Sequence, residues 1–325
     1  MNVYIAGAGA VGTYFGDLLR GDSATIAYAP RRLDDVSPVS ADLAIVAVKS
    51  YDTDAAILAL QRALGADSRA TILCPQNGVG NEEKLAAAFG ADAIVSCALT
   101  VPVDKSRDGQ VAASNSGGIA LAPVGSVAHN WLVAAFEAAN VPVKVASDYR
   151  SMKWSKLTLN IVANASCAIL NLLPERLVHM ESMFALEVRA LREAAAVMRA
   201  LGIEAMDLPS YPVRALQGVV VLPTPVARLV LTSRISGARG RKPPSLLLDL
   251  RAAKGRTEVD VLNGAIAAAG RKLGVPTPVN AVFARVLDDI AHMPQLWAKY
   301  RERPQALLAE VEAEQRRMAA IKVRA

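Results

Sequence analysis

The sequence predicts a two-domain α/β protein: a mostly parallel sheet covered by helices in the first half, then an all-helical second half. Three observations predict it. At 325 residues the chain is longer than one hydrophobic core normally organises, so it should divide in two. As far as about Val145, short apolar runs alternate with segments of helical period, the pattern of a sheet built by strand–helix–strand crossovers. Beyond that point strand signals nearly vanish. Domains are therefore expected at residues 1–148 and 149–325.

Taken in order, the strands should cover residues 3–6, 24–28, 43–48, 71–74 and 93–99, with helices near 11–19, 53–64 and 82–89. Residues 110–124, rich in small side chains, read as later strands and turns, and 131–139 as another helix. In the second half helices are expected at 151–173, 184–201, after Pro212, at 246–253, at 258–273 and beyond Pro304. Gly202, Pro243-Pro244 and Gly274 with Pro276 supply the stops and starts. The composition agrees, because 53% hydrophobic residues with only 5% aromatics suits packed helices and buried parallel strands better than an antiparallel sandwich.

The formal charge of +6 does not indicate nucleic acid. Lys and Arg are scattered, apart from Arg234, Arg239, Arg241 and Lys242, and an anionic small ligand accounts for the balance equally well. Cys74, Cys97 and Cys167 are odd in number and sit among apolar residues, as reduced thiols of a cytoplasmic protein do. His129, His179 and His292 lack metal-ligand spacing, so no metal is expected. Three asparagines interrupt the longest apolar stretch, residues 157–173, which argues against a membrane span.

The chemistry begins at Gly7-Ala8-Gly9-Ala10-Val11-Gly12. The motif follows a strand and opens a helix, the context in which glycines permit a tight turn and a close backbone approach to a diphosphate. That identifies the first half as a Rossmann domain. Strand two ends near Arg31 and Arg32, where an NAD-specific domain would place an acid for the ribose hydroxyls. A guanidinium there suits a 2′-phosphate instead, so NADPH is expected, with Arg31 the better candidate. Lys49 and Asn77 each follow a strand, at the end where open α/β sheets bind ligands. On the helix expected at 151–173, Lys156, Asn160, Asn164 and Asn171 fall within a wedge of about 80°. Such a polar stripe in an apolar helix implies a polar cavity or mutual hydrogen bonding. Ser245 and Glu258 have structural readings of their own, as an N-cap and as a first-turn acid beside a Thr257–Asp260 capping box.

In this order the elements resemble the ketopantoate reductase (2-dehydropantoate 2-reductase) family up to about Asp289. The resemblance rests on residues 7–12, Val46-Ala47-Val48-Lys49, Gln76-Asn77-Gly78-Val79-Gly80, and Trp154-Ser155-Lys156-Leu157 with Asn160 and Asn164. It continues through Pro244-Ser245 with Asp249, Thr257-Glu258-Val259-Asp260, Leu262-Asn263-Gly264 and Gly274-Val275-Pro276-Thr277-Pro278-Val279-Asn280. It implies reduction of a 2-oxo acid by NADPH, with Lys156 as general acid and Asn160, Asn164 and Ser245 holding the substrate. Asn77 would touch both cofactor and substrate, Lys49 would line the site, and Glu258, a second catalytic residue, would lie near the nicotinamide ribose and orient neighbouring groups. The second domain would be of the 6-phosphogluconate dehydrogenase C-terminal type and would form a homodimer.

Three departures accompany the resemblance: a short connection from Arg32 to Ala41, a long apolar then basic segment at 216–242, and Leu172-Leu173-Pro174 where a polar substrate contact is usual. The last keeps open a different branched 2-oxo acid as substrate. A catalytically silent NADP-binding protein is the alternative from another class.

Overall fold

The computed structural model describes residues 1–21, 24–106, 108–239 and 242–324, with backbone alone for 233–239 and 321–324. The Arg234, Arg239 and Arg241 side chains of the basic cluster lie outside the described residues. The chain forms two compact units, Met1–Lys156 with Met206–Pro212, and Leu157–Ala205 with Val213–Ala325.

In the first unit β1 (Asn2–Ala6), α1 (Ala10–Leu18), β2 (Thr25–Tyr28), β3 (Leu43–Val46), α2 (Thr53–Leu64), β4 (Thr71–Cys74), α3 (Asn81–Phe89) and β5 (Ile94–Leu99) follow the expected alternation. They are followed by β6 (Val103–Lys105), β7 (Val111–Ala113), β8 (Ile119–Pro123), α4 (Asn130–Ala138), β9 (Val143–Val145) and α5 (Tyr149–Ile161), whose residues from Leu157 on belong to the second unit. Seven strands pair in the order β2-β1-β3-β4-β5-β8-β9, antiparallel only between β5 and β8. Period-two alternation explains why the strands read as unbroken apolar runs. Val3, Ile5, Leu43 and Ile45 face one core with Phe15 of α1 and Phe136 of α4, while Tyr4, Ala6, Ala44 and Val46 face another with Leu60 of α2 and Leu85 of α3. The strand order reverses between β1 and β3, so their carboxyl ends open a crevice. β6 and β9 are too short to give a sequence signal, and β6 pairs only with β7, as a separate hairpin.

Residues 206–212 join this unit through hydrogen bonds and the burial of Leu208. The Ser155 hydroxyl accepts from the Met206 N–H at 2.8 Å, and Thr100 Oγ1 donates to the Pro209 carbonyl at 2.9 Å. Between β2 and β3 the short connection contains one 3-10 turn, Leu33–Asp35.

The second unit contains α6 (Ala165–Leu170), α7 (Pro174–His179), α8 (Glu181–Ala200), α9 (Val213–Val220), α10 (Thr224–Arg239), α11 (Ser245–Arg251), α12 (Asn263–Leu273), α13 (Pro278–His292), α14 (Trp297–Tyr300) and α15 (Pro304–Arg324). α13 packs on α6, α8, α12 and α15. Its existence is a correction to the sequence reading, which named no helix between residue 273 and Pro304. Pro278 occupies the first turn, where proline is preorganised, and Val279, Val282, Phe283, Val286, Leu287 and Ile290 form its buried stripe.

The helix expected at 151–173 is likewise two, α5 and α6. Ala163, between them, has φ +47, and the buried Glu187 carboxylate accepts from its N–H at 2.6 Å and from the Ser166 hydroxyl at 2.5 Å. The break therefore has a built partner. Asn171 consequently leaves the predicted stripe: it ends α6 in the left-handed region, φ +54, and its side-chain oxygen accepts from Arg251 at 2.9 and 3.1 Å. The helix expected from residue 258 begins instead with a 3-10 turn, Val259–Val261, and α12 starts at Asn263. The Thr257 hydroxyl accepts from Val259, two residues on, so the expected Thr257–Asp260 capping box gives way to this tighter turn.

Candidate functional site

In the first unit, the predicted residues gather where neighbouring parallel strands end. Gly7 lies one residue past β1, while Arg31, Lys49 and Asn77 each lie three past β2, β3 and β4. Because β2, β1, β3 and β4 are adjacent and parallel, their carboxyl ends share one edge of the sheet. The glycines have separate roles. A Cβ on Gly7, at φ +113, would come within 2.6 Å of the Ala47 carbonyl carbon, and one on Gly12 would collide with the Gly7 carbonyl oxygen. Packing alone excludes side chains there. A Cβ on Gly9 would meet nothing, so the open side of the turn lies at the N-cap of α1, where no side chain caps the first-turn N–H groups. Ala8, Ala10 and Val11 complete the turn. This is an anion-binding arrangement, and it fits a dinucleotide diphosphate.

Past β2, Arg31 is exposed. The first acid after the strand, Asp34, is engaged elsewhere, 3.6 Å from the Arg62 guanidinium. Lys49 and Asn77 are half-buried.

Beneath the Asn77 loop lies a polar network that sequence reasoning missed. Lys153 and Glu82, 2% and 1% exposed at their side chains, form an ion pair at 3.0 Å. The Lys153 ammonium also donates to the Gln76 carbonyl, and the Ser96 hydroxyl donates to Glu82 at 2.8 Å. Gln76 Nε2 donates to the Val48 carbonyl at 3.0 Å and to Thr53 Oγ1 at 2.8 Å. Thr53 in turn donates to Asn81 Oδ1, whose Nδ2 donates to the Asn77 carbonyl at 3.1 Å. The loop that presents Asn77 is thus tied to the ends of β3 and β4 and to the helix that carries Lys156. Burial alone would lower the Lys153 pKa, but the Glu82 carboxylate, with Cys74 and Cys97 beside it, holds the value above normal. Desolvation pushes the Cys97 thiol up to about 12 and Cys74 well above its usual range, so both stay protonated. At 100° per residue Lys153 projects about 60° from Lys156, inside the same wedge, so the helical period marked it and the sequence reading passed over it. Lys156 itself is half-buried, and its charge acts on Cys97 in β5.

In the second unit, Asn164 connects the end of α5 to the start of α11. Its Nδ2 donates to the Asn160 carbonyl at 3.0 Å and lies 3.4 Å from Ser245 Oγ, while its Oδ1 accepts from the Leu246 N–H at 3.2 Å. Asn164 is buried, Asn160 is half-buried and Ser245 is exposed. Ser245 is the first residue of α11 rather than its N-cap, which is Pro244. Glu258, 5% exposed, precedes the 3-10 turn. Where a polar residue was sought in residues 172–175, Leu172 is buried and Pro174 begins α7.

A doubly wound sheet with a glycine-rich first turn, joined to a helical unit, defines the class as a Rossmann-fold oxidoreductase. The family model described as ketopantoate reductase PanE/ApbA matches residues 20–126, and the corresponding C-terminal model matches 148–291. A crystal structure of a PanE/ApbA family ketopantoate reductase from Ralstonia eutropha JMP134 is 30% identical, with a TM-score of 0.73 over 91% of this chain and 100% of that one. The chain belongs to the ketopantoate reductase family. A 2-dehydropantoate 2-reductase from Caulobacter vibrioides is 28% identical over 260 residues, 79% of this chain and 80% of its own length. Two further structures share the fold. D-Mandelate dehydrogenase, solved with NADH, is 21% identical with a TM-score of 0.73, covering 90% of this chain and 99% of that one. A dimeric ketopantoate reductase from Staphylococcus aureus is 17% identical with a TM-score of 0.70, covering 91% of this chain and 100% of that one.

Proposed function

We propose that this chain reduces a small 2-oxo acid, ketopantoate foremost, using NADPH, with Lys156 as the general acid. The observation that carries the reading is the gathering of Gly7, Gly9, Gly12, Arg31, Lys49 and Asn77 at one edge of the sheet, on a network tied to the helix of Lys156. In this reading residues 7–12 hold the diphosphate of the cofactor, Arg31 its 2′-phosphate, and Lys49 and Asn77 its nicotinamide end, with Glu258 at the adjoining ribose. The bound cofactor supplies the hydride. Lys156 stabilises the oxygen that becomes an alkoxide and gives it a proton from Nζ. Ser245 accepts from Asn164, which directs its own O–H outward to a substrate acceptor. Asn160 and Asn164 hold the remaining polar groups of the substrate.

A different 2-oxo acid is a specific second reading, favoured by the apolar Leu172-Leu173-Pro174 segment and by the shared fold with D-mandelate dehydrogenase. Removing a hydrogen bond to a substrate hydroxyl lowers discrimination strongly. The test measures NADPH and NADH oxidation by purified protein with ketopantoate, branched 2-oxo acids and aryl 2-oxo acids. Turnover of ketopantoate at the highest kcat/KM is expected. Turnover only of another 2-oxo acid rejects ketopantoate, and none with any of them, despite tight cofactor binding, rejects the enzymatic reading in favour of a silent binding protein.

The working form is proposed to be a homodimer, as the Staphylococcus aureus relative is dimeric, and to be joined through the second unit. Val221, Val226 and Leu229, 64%, 44% and 83% exposed, leave an apolar patch on and before α10 that a second copy would cover. Among the described residues no helix is long and apolar enough to cross a membrane.

A further inference from the structure

The β6–β7 hairpin places a cation beside the glycine turn that no motif announces. Val103 and Val111 pack against the core that contains Phe15 and anchor the two strands next to α1. At the end of β6, the Lys105 ammonium donates to the Ala8 carbonyl at 2.8 Å and to Thr13 Oγ1 at 2.9 Å. Those partners are the residue before the N-cap and a residue of the first helical turn. The ammonium is therefore held against the glycine turn, at the start of α1.

The turn is deficient in charge for its expected ligand. A diphosphate carries about two negative charges, while a helix N-terminus supplies the equivalent of roughly +0.5. Residues 7–12 include no cation. Both hydrogen bonds of Lys105 go to uncharged oxygens, and a full negative charge on a phosphate oxygen adds a Coulombic attraction that a carbonyl or hydroxyl dipole lacks. Its flexible stem lets Nζ exchange one of these partners for a phosphate oxygen while the hairpin stays in place.

We propose that Lys105, delivered by the β6–β7 hairpin, is a cofactor-binding residue that neutralises the diphosphate of the dinucleotide. The inference rests on the proposed cofactor reading. It assigns to Lys105 a task distinct from that of Arg31. Arg31 would distinguish NADPH from NADH, whereas Lys105 acts on a group common to both.

The test is equilibrium titration of the wild type and of Lys105→Met, Lys105→Gln and Lys105→Arg with NADPH, NADH and 2′-AMP, the last lacking the diphosphate. Loss of one charged hydrogen bond predicts roughly tenfold weaker binding of NADPH and NADH alike in the Met and Gln variants. Lys105→Arg should stay near wild type, and 2′-AMP should bind equally to all four proteins. Full affinity in Lys105→Gln overturns the proposal, because a neutral clasp on the Ala8 carbonyl would then suffice. A loss confined to NADPH, a parallel loss for 2′-AMP, or no loss in Lys105→Met overturns it as well. A wild type that binds neither dinucleotide removes the cofactor reading itself, whereas tight wild-type binding with unaffected variants removes only the role of Lys105.

Discussion

The buried Lys153–Glu82 pair makes a quantitative prediction about the first unit. Replacing Lys153 by Met keeps most of the side-chain volume but leaves the Glu82 carboxylate, 1% exposed, with the Ser96 hydroxyl and no cation in the described pair. Removing one partner of a buried ion pair costs about 3–5 kcal/mol, because the remaining charge cannot be rehydrated. For a unit of this size, each kcal/mol shifts the midpoint by about 2–4 °C, so a fall of roughly 6–20 °C in the Tm of the first unit is expected. Glu82→Gln should cost less, since Lys153 keeps the Gln76 carbonyl and the amide oxygen of the new side chain. The double variant Lys153→Met with Glu82→Gln should recover part of the loss, giving a coupling of roughly 1–3 kcal/mol in a thermodynamic cycle. The pH dependence has a definite sign. Lys153 is bound to its proton more tightly when folded, so its contribution is complete below the ordinary lysine value and is lost only as pH rises through the raised one. Denaturation at pH 7 and across the alkaline range, on all four proteins, measures these quantities. Additive single variants, each costing under about 1 kcal/mol, would refute the reasoning, because that is the behaviour of a solvated surface pair.

Three further outcomes are expected. Arg31→Ala should weaken NADPH binding much more than NADH binding in paired titrations, and equal wild-type affinities for the two would refute the 2′-phosphate assignment. Lys156→Ala should lower kcat by roughly 10² to 10⁴-fold with NADPH affinity retained, and an effect confined to KM would make it a binding residue instead. Burial raises the Glu193 carboxyl to about 7 against the hydrogen bonds it accepts from Val279 and Asn280, so the folded protein holds its proton between about pH 4.5 and 7 and stability should decline as pH rises through that window. Glu193→Gln should flatten that slope in pH-dependent denaturation, and an unchanged slope assigns it to other groups.

By itself, the amino-acid sequence determined what depends on neighbours along the chain. Parallel strands buried on both faces read as continuous apolar runs, so β1 to β5 and the turn formed by residues 7–12 were legible, as were Arg31, Lys49 and Asn77 at the strand ends. Period and punctuation also located most helices, although α13 was overlooked despite its regular stripe and the proline in its first turn. Tertiary structure decided whatever depends on a distant partner. Glu187, more than 20 residues away, stabilises the turn at Ala163 that divides α5 from α6 and takes Asn171 out of the polar stripe. Glu82 meets Lys153 across 71 positions and Lys105 reaches Ala8 across 97, as their residue numbers give. Such contacts leave no mark in local composition, because a lysine destined for a buried ion pair, a phosphate or the solvent has the same side chain, and only the closed fold fixes which oxygen its ammonium meets.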